Sequence, residues 1–285
     1  MAFISEIFIE TTNKCCANCS TCLNRVMLRE RSVMPFDLFK KIINDVVIEQ
    51  KAAHTHLFGV GEPYMTPGYL DYCDYAIPKL NAANIYSSII SNGRMITEIP
   101  KGLGALNISF NAGKKETYER ITGLDFKLTV ANIFRLAEEG QFDRVAEKEI
   151  HMLVFDDNRT EIDDFVALFE PLKKVGVRLR LAFKYDNQLG RIENKTLLQF
   201  KNAPRIPCHY AEDVLTICSN GWVIPCVHDF DGAEVFGDVH TQSLNELINH
   251  PARLERIRKH RELQFEGICQ HCNFNIANEG RYQYV

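Results

Sequence analysis

The sequence of 285 residues lacks the features of a secreted or membrane-spanning protein and those of a general binder of nucleic acid or membrane surfaces. Its formal net charge is −4 at pH 7, without the basic excess that general binding of nucleic acid or a membrane surface requires. No apolar run approaches the roughly 20 residues of a membrane span. Residues 1–10 also lack a basic segment followed by a cleavable apolar stretch. We therefore expect a cytoplasmic protein without a nucleic-acid or membrane partner.

What the sequence does contain is ordinary except for its cysteines. Hydrophobic residues make up 46% and charged residues 25%, enough for one large domain or a large domain plus a small one. Ten cysteines are unexpected in a reducing compartment, where disulfides are rare, so another role for them is needed. They lie at positions 15, 16, 19, 22, 73, 208, 218, 226, 269 and 272.

Between the two groups of cysteines, short β-rich runs alternate with amphipathic helical patterns. The predicted strands are Glu6–Glu10, Thr55–Phe58, Ile85–Ser91, Leu106–Phe110, Glu149–Phe155 and Val177–Lys184. The predicted helices are Phe36–Gln50, Tyr69–Leu80, Leu128–Glu139 and Glu161–Lys174. Six β/α repeats indicate a parallel sheet, either doubly wound or curled into a partial barrel.

Polar residues at alternate strand positions favour the barrel. A strand covered by helices on both faces would be a continuous apolar run, whereas two of the predicted strands alternate. The alternating polar residues are Asn107, Ser109, Asn111, Arg178 and Arg180. We predict that they line a lumen that holds a ligand, the alternative being an edge strand with one hydrated face.

The pattern changes after residue 195. Asn202–Pro207 carries two prolines and indicates a linker, and Val214–Ile217 with Trp222–Ile224 indicates a hairpin around an Asn-Gly turn. A helix over Leu244–Arg261 then leads into a CxxC pair. We predict that residues 1–200 form the α/β barrel and residues 201–285 a small second domain of a β-hairpin plus a helix.

The first group of cysteines is a CxxxCxxC loop directly after the first predicted strand. Cys15, Cys19 and Cys22 can hold three irons of a [4Fe–4S] cube and leave the fourth iron open. Structural zinc closes all four of its positions, normally with CxxC pairs, so this spacing favours a cluster. Adjacent cysteines rarely bind one cluster together, so Cys16 is assigned to packing.

Residues 5–185 resemble the radical S-adenosylmethionine superfamily, whose signature is CxxxCxxC after the first strand of a partial (β/α)6 barrel. Gly59–Pro63 is similar to that family's GGEP-like segment, and the turn at residues 91–93 to its TNG-like turn. The family usually has an aromatic residue before the third cysteine, where this chain has Thr21, so that adenine contact is not expected. The resemblance implies a cofactor site made by Gly61, Glu62, Pro63, Ser91, Asn92, Ser109, Asn111 and Arg120.

Within that site the resemblance implies that Glu62 accepts the methionine ammonium group and that Arg120 pairs with its carboxylate, a surface arginine being the alternative. The implied chemistry is reductive cleavage of S-adenosylmethionine at the open iron. The resulting 5′-deoxyadenosyl radical then takes a hydrogen atom from an unactivated carbon of the substrate. An external one-electron donor such as a flavodoxin or ferredoxin is implied as a partner.

The second group of cysteines consists of Cys208, Cys226 and the pair Cys269 and Cys272. Four thiolates make a closed site for either zinc or [4Fe–4S], and spacing alone does not choose between them. Cys218 on the hairpin is the weakest candidate. The region resembles the shortened twitch form of the SPASM auxiliary-cluster domain, which implies one fully coordinated [4Fe–4S] cluster that conducts electrons.

The reaction is inferred from a finer resemblance within that subgroup, to dehydrogenases of aminocyclitols. It rests on the hairpin Val223–Cys226, the following Asp229-Phe230 and the tyrosines at 282 and 284. It implies oxidation of a carbinol of a small sugar or aminocyclitol, with the electron leaving through the auxiliary cluster. Arg180 is the first candidate for the base or hydroxyl-orienting group, and His151 is the second.

Three other functions stay open. Radical epimerisation would need a thiol hydrogen donor, for which Cys16, Cys73 and Cys218 are uncommitted, although Cys73 has the pattern of a helical core residue. Modification of a ribosomal peptide is less favoured, because the chain begins almost at its first strand, without an added recognition domain. A non-catalytic protein with two structural zinc sites is the alternative outside enzymes.

Overall fold

The computed structural model describes residues 4–50, 52–183, 189, 191, 204–275 and 282–285. Its framework is one ten-stranded sheet, in the order β10-β6-β5-β4-β3-β2-β1-β7-β8-β9. Strands β1 to β6 are parallel and adjacent in chain order. They are β1 (Ile4–Ile9), β2 (Ala52–His56), β3 (Tyr86–Ser91), β4 (Leu103–Ser109), β5 (Val145–Val154) and β6 (Arg178–Phe183).

Helices cover one face of these parallel strands. They are α1 (Phe36–Glu49), α2 (Tyr69–Ala82), α3 (Lys115–Thr122), α4 (Phe126–Glu138) and α5 (Ile162–Phe169). The apolar residues of α1 that set its helical periodicity, such as Phe39, Ile43 and Val46, are the ones it buries. Among the described helices, none has the length and apolar composition of a membrane span.

The strand order confirms the prediction of a partial α/β barrel, with two differences in the β/α alternation. Residues 92–102, between β3 and β4, form no helix. Asn132 of α4 instead donates hydrogen bonds from its amide to the Gly93 and Ile96 carbonyl oxygens, at 2.8 and 3.0 Å. A side chain of the neighbouring helix thus satisfies backbone groups that a helix there would pair internally. The connection between β4 and β5 contains two helices, α3 and α4, and only α4 was predicted.

The C-terminal residues extend the same sheet at both edges. β7 (Val214–Ile217) pairs parallel with β1 and antiparallel with β8 (Trp222–Ile224), which are the predicted hairpin bounds, and β9 (Gly237–Asp238) follows. At the other edge, β10 (Tyr282–Tyr284) is antiparallel to β6. Part of the predicted linker, at residues 202 and 203, lies outside the described residues. The division at residue 200 stays a prediction.

The helix predicted over Leu244–Arg261 is wrong as a single element. The structure divides this stretch into two helices, α7 (Leu244–Ile248) and α8 (Pro251–Arg261). A separate short helix, α6 (His209–Asp213), lies just before β7. Pro251 starts α8, because proline has no N–H to donate to the preceding turn but has the φ angle of a first helical residue. The side chain of His250 caps the new helix by accepting the Ala252 N–H at 3.3 Å.

The face of the sheet away from the helices, called the inner face below, is polar. Strand pairing places Asn107 opposite Glu149, and His151 between Ser109 and Arg180. The intervening apolar residues are buried against the helices: Leu106, Ile108, Ile150, Met152, Leu179 and Leu181. The alternation predicted from the sequence is therefore present in the barrel, and its polar members share one surface.

Candidate active site

The cysteine loop follows β1 and is anchored by the end of α3. The backbone N–H groups of Asn18 and Ser20 donate to the carbonyl oxygens of Thr122 and Ile121, both at 2.8 Å. These carbonyls are at the last turn of α3, where they lack helical partners. The anchor fixes a loop without regular structure at the carboxyl end of the first strand, the edge at which barrels of this type carry their chemistry.

Two of the three predicted ligands in this loop already receive backbone hydrogen bonds at sulfur. Cys15 Sγ accepts the N–H of Ala17 and Cys22 Sγ accepts the N–H of Asn24, each at 3.4 Å. Donors to sulfur stabilise the thiolate, the form that binds iron. The donor set therefore fits an iron–sulfur cluster. The neighbouring Cys16 Sγ instead accepts a hydrogen bond from the Asn92 side-chain amide at 3.3 Å.

The Gly61-Glu62-Pro63 segment lies against the cysteine loop. The N–H of Glu62 donates to the Lys14 carbonyl at 2.8 Å. A Cβ atom at Gly61 would lie 2.3 Å from the Thr12 carbonyl oxygen, so only glycine permits this approach of the two backbones. Pro63 then begins a short 3₁₀ turn that fixes the direction of the chain. Glu62 is thereby placed directly beside the loop that carries the cysteines.

Glu62 is a buried carboxylate, 2% exposed, that is held by hydrogen bonds. The Ser91 hydroxyl donates to Oε1 and the Asn92 N–H donates to Oε2, each at 2.8 Å. Burial raises the pKa of Glu62 to about 7. Within the described part of the chain, no lysine or arginine forms an ion pair with it. A buried carboxylate in these surroundings fits the ammonium group of an amino-acid cofactor.

The other residues predicted to hold the cofactor have internal partners. Asn111 Oδ1 accepts the Leu153 N–H at 2.9 Å and, more weakly, the Ser109 hydroxyl at 3.4 Å, so it ties the ends of β4 and β5 together. Arg120, on the last turn of α3, is more than half exposed and pairs with Asp157 at 3.0 Å. The structure therefore brings Ser91 and Asn92 to Glu62, and leaves the cofactor roles of Ser109, Asn111 and Arg120 as predictions.

On the inner face, Arg180 is engaged by Glu149. Its Nε donates to Glu149 Oε2 at 2.8 Å, while Arg178 and the Tyr284 hydroxyl bind Oε1 at 2.7 and 2.8 Å. The Tyr282 ring covers the Arg180 guanidinium at 4.7 Å. This geometry disfavours Arg180 as a base, since a paired guanidinium retains its proton.

His151 differs from Arg180 because part of it is unpartnered. Its Nδ1 is buried and neither accepts nor donates a hydrogen bond within the described part of the structure. Burial and the charge of Arg180 lower the pKa of His151 to about 3, so the imidazole is neutral near pH 7. The buried Oδ1 of Asn107, on the adjacent strand, is unpartnered in the same sense. Such atoms are costly to bury without a partner, so the inner face fits a polar ligand.

The four C-terminal cysteines, Cys208, Cys226, Cys269 and Cys272, all line one small cavity. Backbone N–H groups of His228 and Phe274 donate to the sulfurs of Cys226 and Cys272 at 3.4 and 3.3 Å. Among the described residues, no group of three or more His, Cys, Asp or Glu side chains is arranged so that it could hold a single metal ion. A cube differs because each thiolate binds a separate iron. The donor set, four thiolates that line one cavity, fits a cluster with four cysteine ligands.

Two of the remaining cysteines are buried in the protein interior. Cys73 is fully buried in α2, within the core between the helices and the sheet. Cys218 is 1% exposed at the end of β7. This burial is the usual environment of a free cysteine and confirms the helical-core pattern predicted for Cys73.

A buried ion pair connects the cysteine loop to the C-terminal hairpin. Arg29 binds both carboxylate oxygens of Glu10, at 2.8 and 2.9 Å, and donates from Nε to the Phe230 carbonyl. The N–H and hydroxyl of Ser219 also donate to Glu10, both at 2.9 Å. Sequence analysis missed this pair, because no local pattern links residues 10, 29 and 219.

Replacing Arg29 with methionine should destabilise the chain strongly, because Glu10 would remain buried without its cation. We expect a loss of about 3–5 kcal/mol in the free energy of unfolding, measured by anaerobic urea denaturation. The control is Arg258→Met, which removes an exposed arginine paired with Glu255 and Glu262 and should leave the midpoint nearly unchanged. Equal midpoints for the two variants would contradict a structural role for the buried pair.

Two family models match the parts of the chain that contain the two groups of cysteines. The model of the radical SAM superfamily matches residues 9–169, and that of the SPASM iron–sulfur cluster-binding domain matches residues 208–273. A cofactor-modifying protein for the tungsten-containing aldehyde ferredoxin oxidoreductase of Pyrococcus furiosus is 26% identical over 103 residues. That alignment covers 36% of this chain and 28% of the relative.

Solved structures show the same fold at low identity. BtrN in complex with AdoMet and 2-DOIA has a TM-score of 0.64 and 15% identity, over 100% of both chains. Streptococcus suis SuiB bound to the precursor peptide SuiA has a TM-score of 0.70 and 13% identity, over 95% of this chain and 70% of its own. anSMEcpe with bound AdoMet has a TM-score of 0.61 and 13% identity, over 93% and 84%.

The superfamily model covers more than half of the chain, from the end of β1 to the end of α5. This membership implies a [4Fe–4S] cluster and S-adenosylmethionine, and the second model implies auxiliary iron–sulfur binding after the barrel. The chain belongs to the radical S-adenosylmethionine superfamily and carries a SPASM-type iron–sulfur domain.

Proposed function

We propose that this chain oxidises a carbinol carbon of a small hydroxylated substrate, a sugar or an aminocyclitol, to a ketone. The ligands of the open cluster are Cys15, Cys19 and Cys22. The ligands of the closed auxiliary cluster are Cys208, Cys226, Cys269 and Cys272. The observation that carries the proposal is the polar inner face with two buried, unpartnered atoms, His151 Nδ1 and Asn107 Oδ1. The hairpin resemblance to 2-deoxy-scyllo-inosamine dehydrogenase of butirosin biosynthesis supports it.

When bound, S-adenosylmethionine and the open cluster supply hydrogen-atom abstraction, and the auxiliary cluster supplies a one-electron acceptor. An external one-electron donor such as a flavodoxin or ferredoxin is part of the proposal. Glu62 binds the cofactor's ammonium group, and Ser91 and Asn92 hold the Glu62 carboxylate in place for it. Binding a cation there removes the cost of the buried carboxylate.

Two hydroxyl groups of the substrate bind at the two unpartnered atoms of the inner face. Asn107 Oδ1 accepts a hydrogen bond from one hydroxyl group, and neutral His151 accepts the reacting one at Nδ1. Loss of a hydrogen atom from the carbinol carbon makes the attached hydroxyl proton far more acidic, and this proton passes to solvent as the electron leaves, while His151, which stays neutral, holds the hydroxyl in position. One hydrogen atom, one proton and one electron then leave the substrate, the C–H and O–H bonds break, and the ketone forms. Glu149 holds Arg180 beside His151 as a fixed positive charge.

Replacing His151 with phenylalanine should separate the two halves of this reaction. We expect ketone formation to fall by about 10²-fold, because the hydroxyl loses the hydrogen bond that orients it. Cleavage of S-adenosylmethionine without substrate should be unchanged. The measurement is mass spectrometry of cyclitol and aminosugar products after reduction with dithionite. His240→Gln, at an exposed histidine paired with Asp238, is the control. Undiminished ketone formation by the His151 variant would contradict the assignment.

Radical epimerisation is the second candidate function, and Cys16 is the observation that favours it. Its thiol is half-buried beside Asn92, next to the Glu62 site, whereas Cys73 and Cys218 are buried. An epimerase returns a hydrogen atom, so its product made in D₂O carries deuterium at the reacting carbon and Cys16→Ala abolishes turnover. The dehydrogenase gives a ketone two mass units lighter than the substrate, without dependence on Cys16 as a hydrogen donor.

A further inference from the structure

The cavity lined by the four C-terminal cysteines, called the auxiliary cavity below, is also lined by a half-buried arginine that contacts one of them. Arg256 of α8 donates from Nη1 to Cys269 Sγ at 3.1 Å, and its side chain is 18% exposed. Its other terminal nitrogen forms an ion pair with Glu234, whose carboxylate also accepts the Ile268 N–H at 2.9 Å. Glu234 therefore holds both the arginine and the backbone next to Cys269.

A second potential donor faces the same cavity. His260, one helical turn after Arg256, lines the cavity together with the four cysteines and is 2% exposed. Neither of its ring nitrogens has a hydrogen-bond partner within the described residues. The Phe265 ring packs edge-on against it at 5.0 Å and fixes the imidazole. An imidazole buried without partners is costly unless a bound group supplies one.

We propose that Arg256 and His260 donate hydrogen bonds to the auxiliary cluster and its ligands, and so raise the reduction potential of that cluster. The inference rests on the proposed function only in assigning a cluster to the four cysteines. It names the residues that set the reduction potential at which that cluster accepts the substrate's electron.

Electrostatics gives the sign of each contribution. Reduction adds one negative charge to the cluster, and a half-buried cation at hydrogen-bond distance from a ligand sulfur stabilises that charge. Arg256 should therefore raise the potential. Glu234 partly cancels the arginine's charge, so it should lower the potential. His260 has two ring nitrogens without partners among the described residues and should raise the potential less than Arg256, through hydrogen bonding alone.

The test is a redox titration, followed by electron paramagnetic resonance, of the full chain with Cys15, Cys19 and Cys22 replaced by alanine. In this background only the auxiliary cluster remains. We expect Arg256→Gln to lower the midpoint potential enough to change the ratio of reduced to oxidised cluster at least tenfold, which is about 59 mV for one electron. Arg256→Lys keeps the charge and should restore part of the shift.

Two further variants separate tuning from a merely structural role. Glu234→Gln keeps an oxygen for the Ile268 N–H and should move the potential in the opposite direction, whereas structural damage has no reason to give opposite signs. Arg258→Gln, on the same helix but exposed, is the matched control and should leave the potential unchanged. His260→Phe should give a smaller negative shift than Arg256→Gln.

The outcomes distinguish this inference from the proposed function. A background protein that binds no iron after anaerobic reconstitution would overturn the auxiliary-cluster assignment itself. A background protein with a normal cluster, whose potential is the same with Arg256→Gln, Arg256→Lys and Glu234→Gln, would overturn only the tuning role. If Arg256→Gln fails to retain the cluster, the potentials of Arg256→Lys and Glu234→Gln still test the tuning role. A lower potential for the first and a higher potential for the second would support it, and any other pair of signs would overturn it.

Discussion

Replacing Cys19 with alanine is expected to reduce 5′-deoxyadenosine formation to background. The open cluster would have only two of its three protein ligands, and the cofactor beside Glu62 would have no reducing centre. The measurement is chromatography of the nucleoside after anaerobic reaction with S-adenosylmethionine and dithionite. We also expect a loss of about four irons per chain, the content of one cube.

The matched control for this variant is Cys73→Ala, in which a cysteine of the helical core is removed. It leaves a small cavity in α2 and should keep both the iron content and the cleavage of S-adenosylmethionine. Retained cleavage in Cys19→Ala would show that the loop uses a different set of ligands. Cys16 is then the residue to test, since it is the remaining thiol of the loop.

Replacing Cys226 with alanine is expected to uncouple the reaction instead of stopping it. The closed site would lose one of the four thiolates that line its cavity, whereas the cysteine loop is unchanged. Cleavage of S-adenosylmethionine should therefore continue, while ketone formation falls to background because the electron has no acceptor. The measurement is the molar ratio of ketone to 5′-deoxyadenosine with a cyclitol that the wild-type chain oxidises.

Cys218→Ala is the control for that experiment, since Cys218 lies on the same hairpin but does not line the cavity. Its ratio of ketone to 5′-deoxyadenosine should match that of the wild type. An unchanged ratio in Cys226→Ala would mean that the substrate's electron leaves by another route, and the auxiliary role proposed for this site would be wrong.

The strand alternation was the most informative feature of the sequence. It predicted a shared lumen face for Ser109 and Arg180, because side chains of a strand point alternately to opposite faces, and strand pairing then places His151 between them. It did not predict the Glu149–Arg180 pair, which depends on the register between β5 and β6. The signal for Glu149 was nevertheless present, since it lies two residues before His151 on the same face.

Other features needed tertiary structure or were overlooked. The start of α8 at Pro251 could have been predicted, because a proline within a helical pattern ends or restarts the helix. The contact of Arg256 with Cys269 could not, because nothing in the sequence fixes how α8 is rotated against the CxxC turn. The buried pair of Glu10 and Arg29 is similar, since its third partner, Ser219, is about 200 residues away.

The metal content of the anaerobically purified full chain tests the two-cluster account most directly. The proposed ligand sets predict a brown protein with about eight irons, about eight acid-labile sulfides and no zinc per chain. About four irons with one zinc would contradict the role of the C-terminal cysteines as an electron acceptor, although it would leave the radical chemistry intact. A colourless protein with about two zincs would contradict the account as a whole.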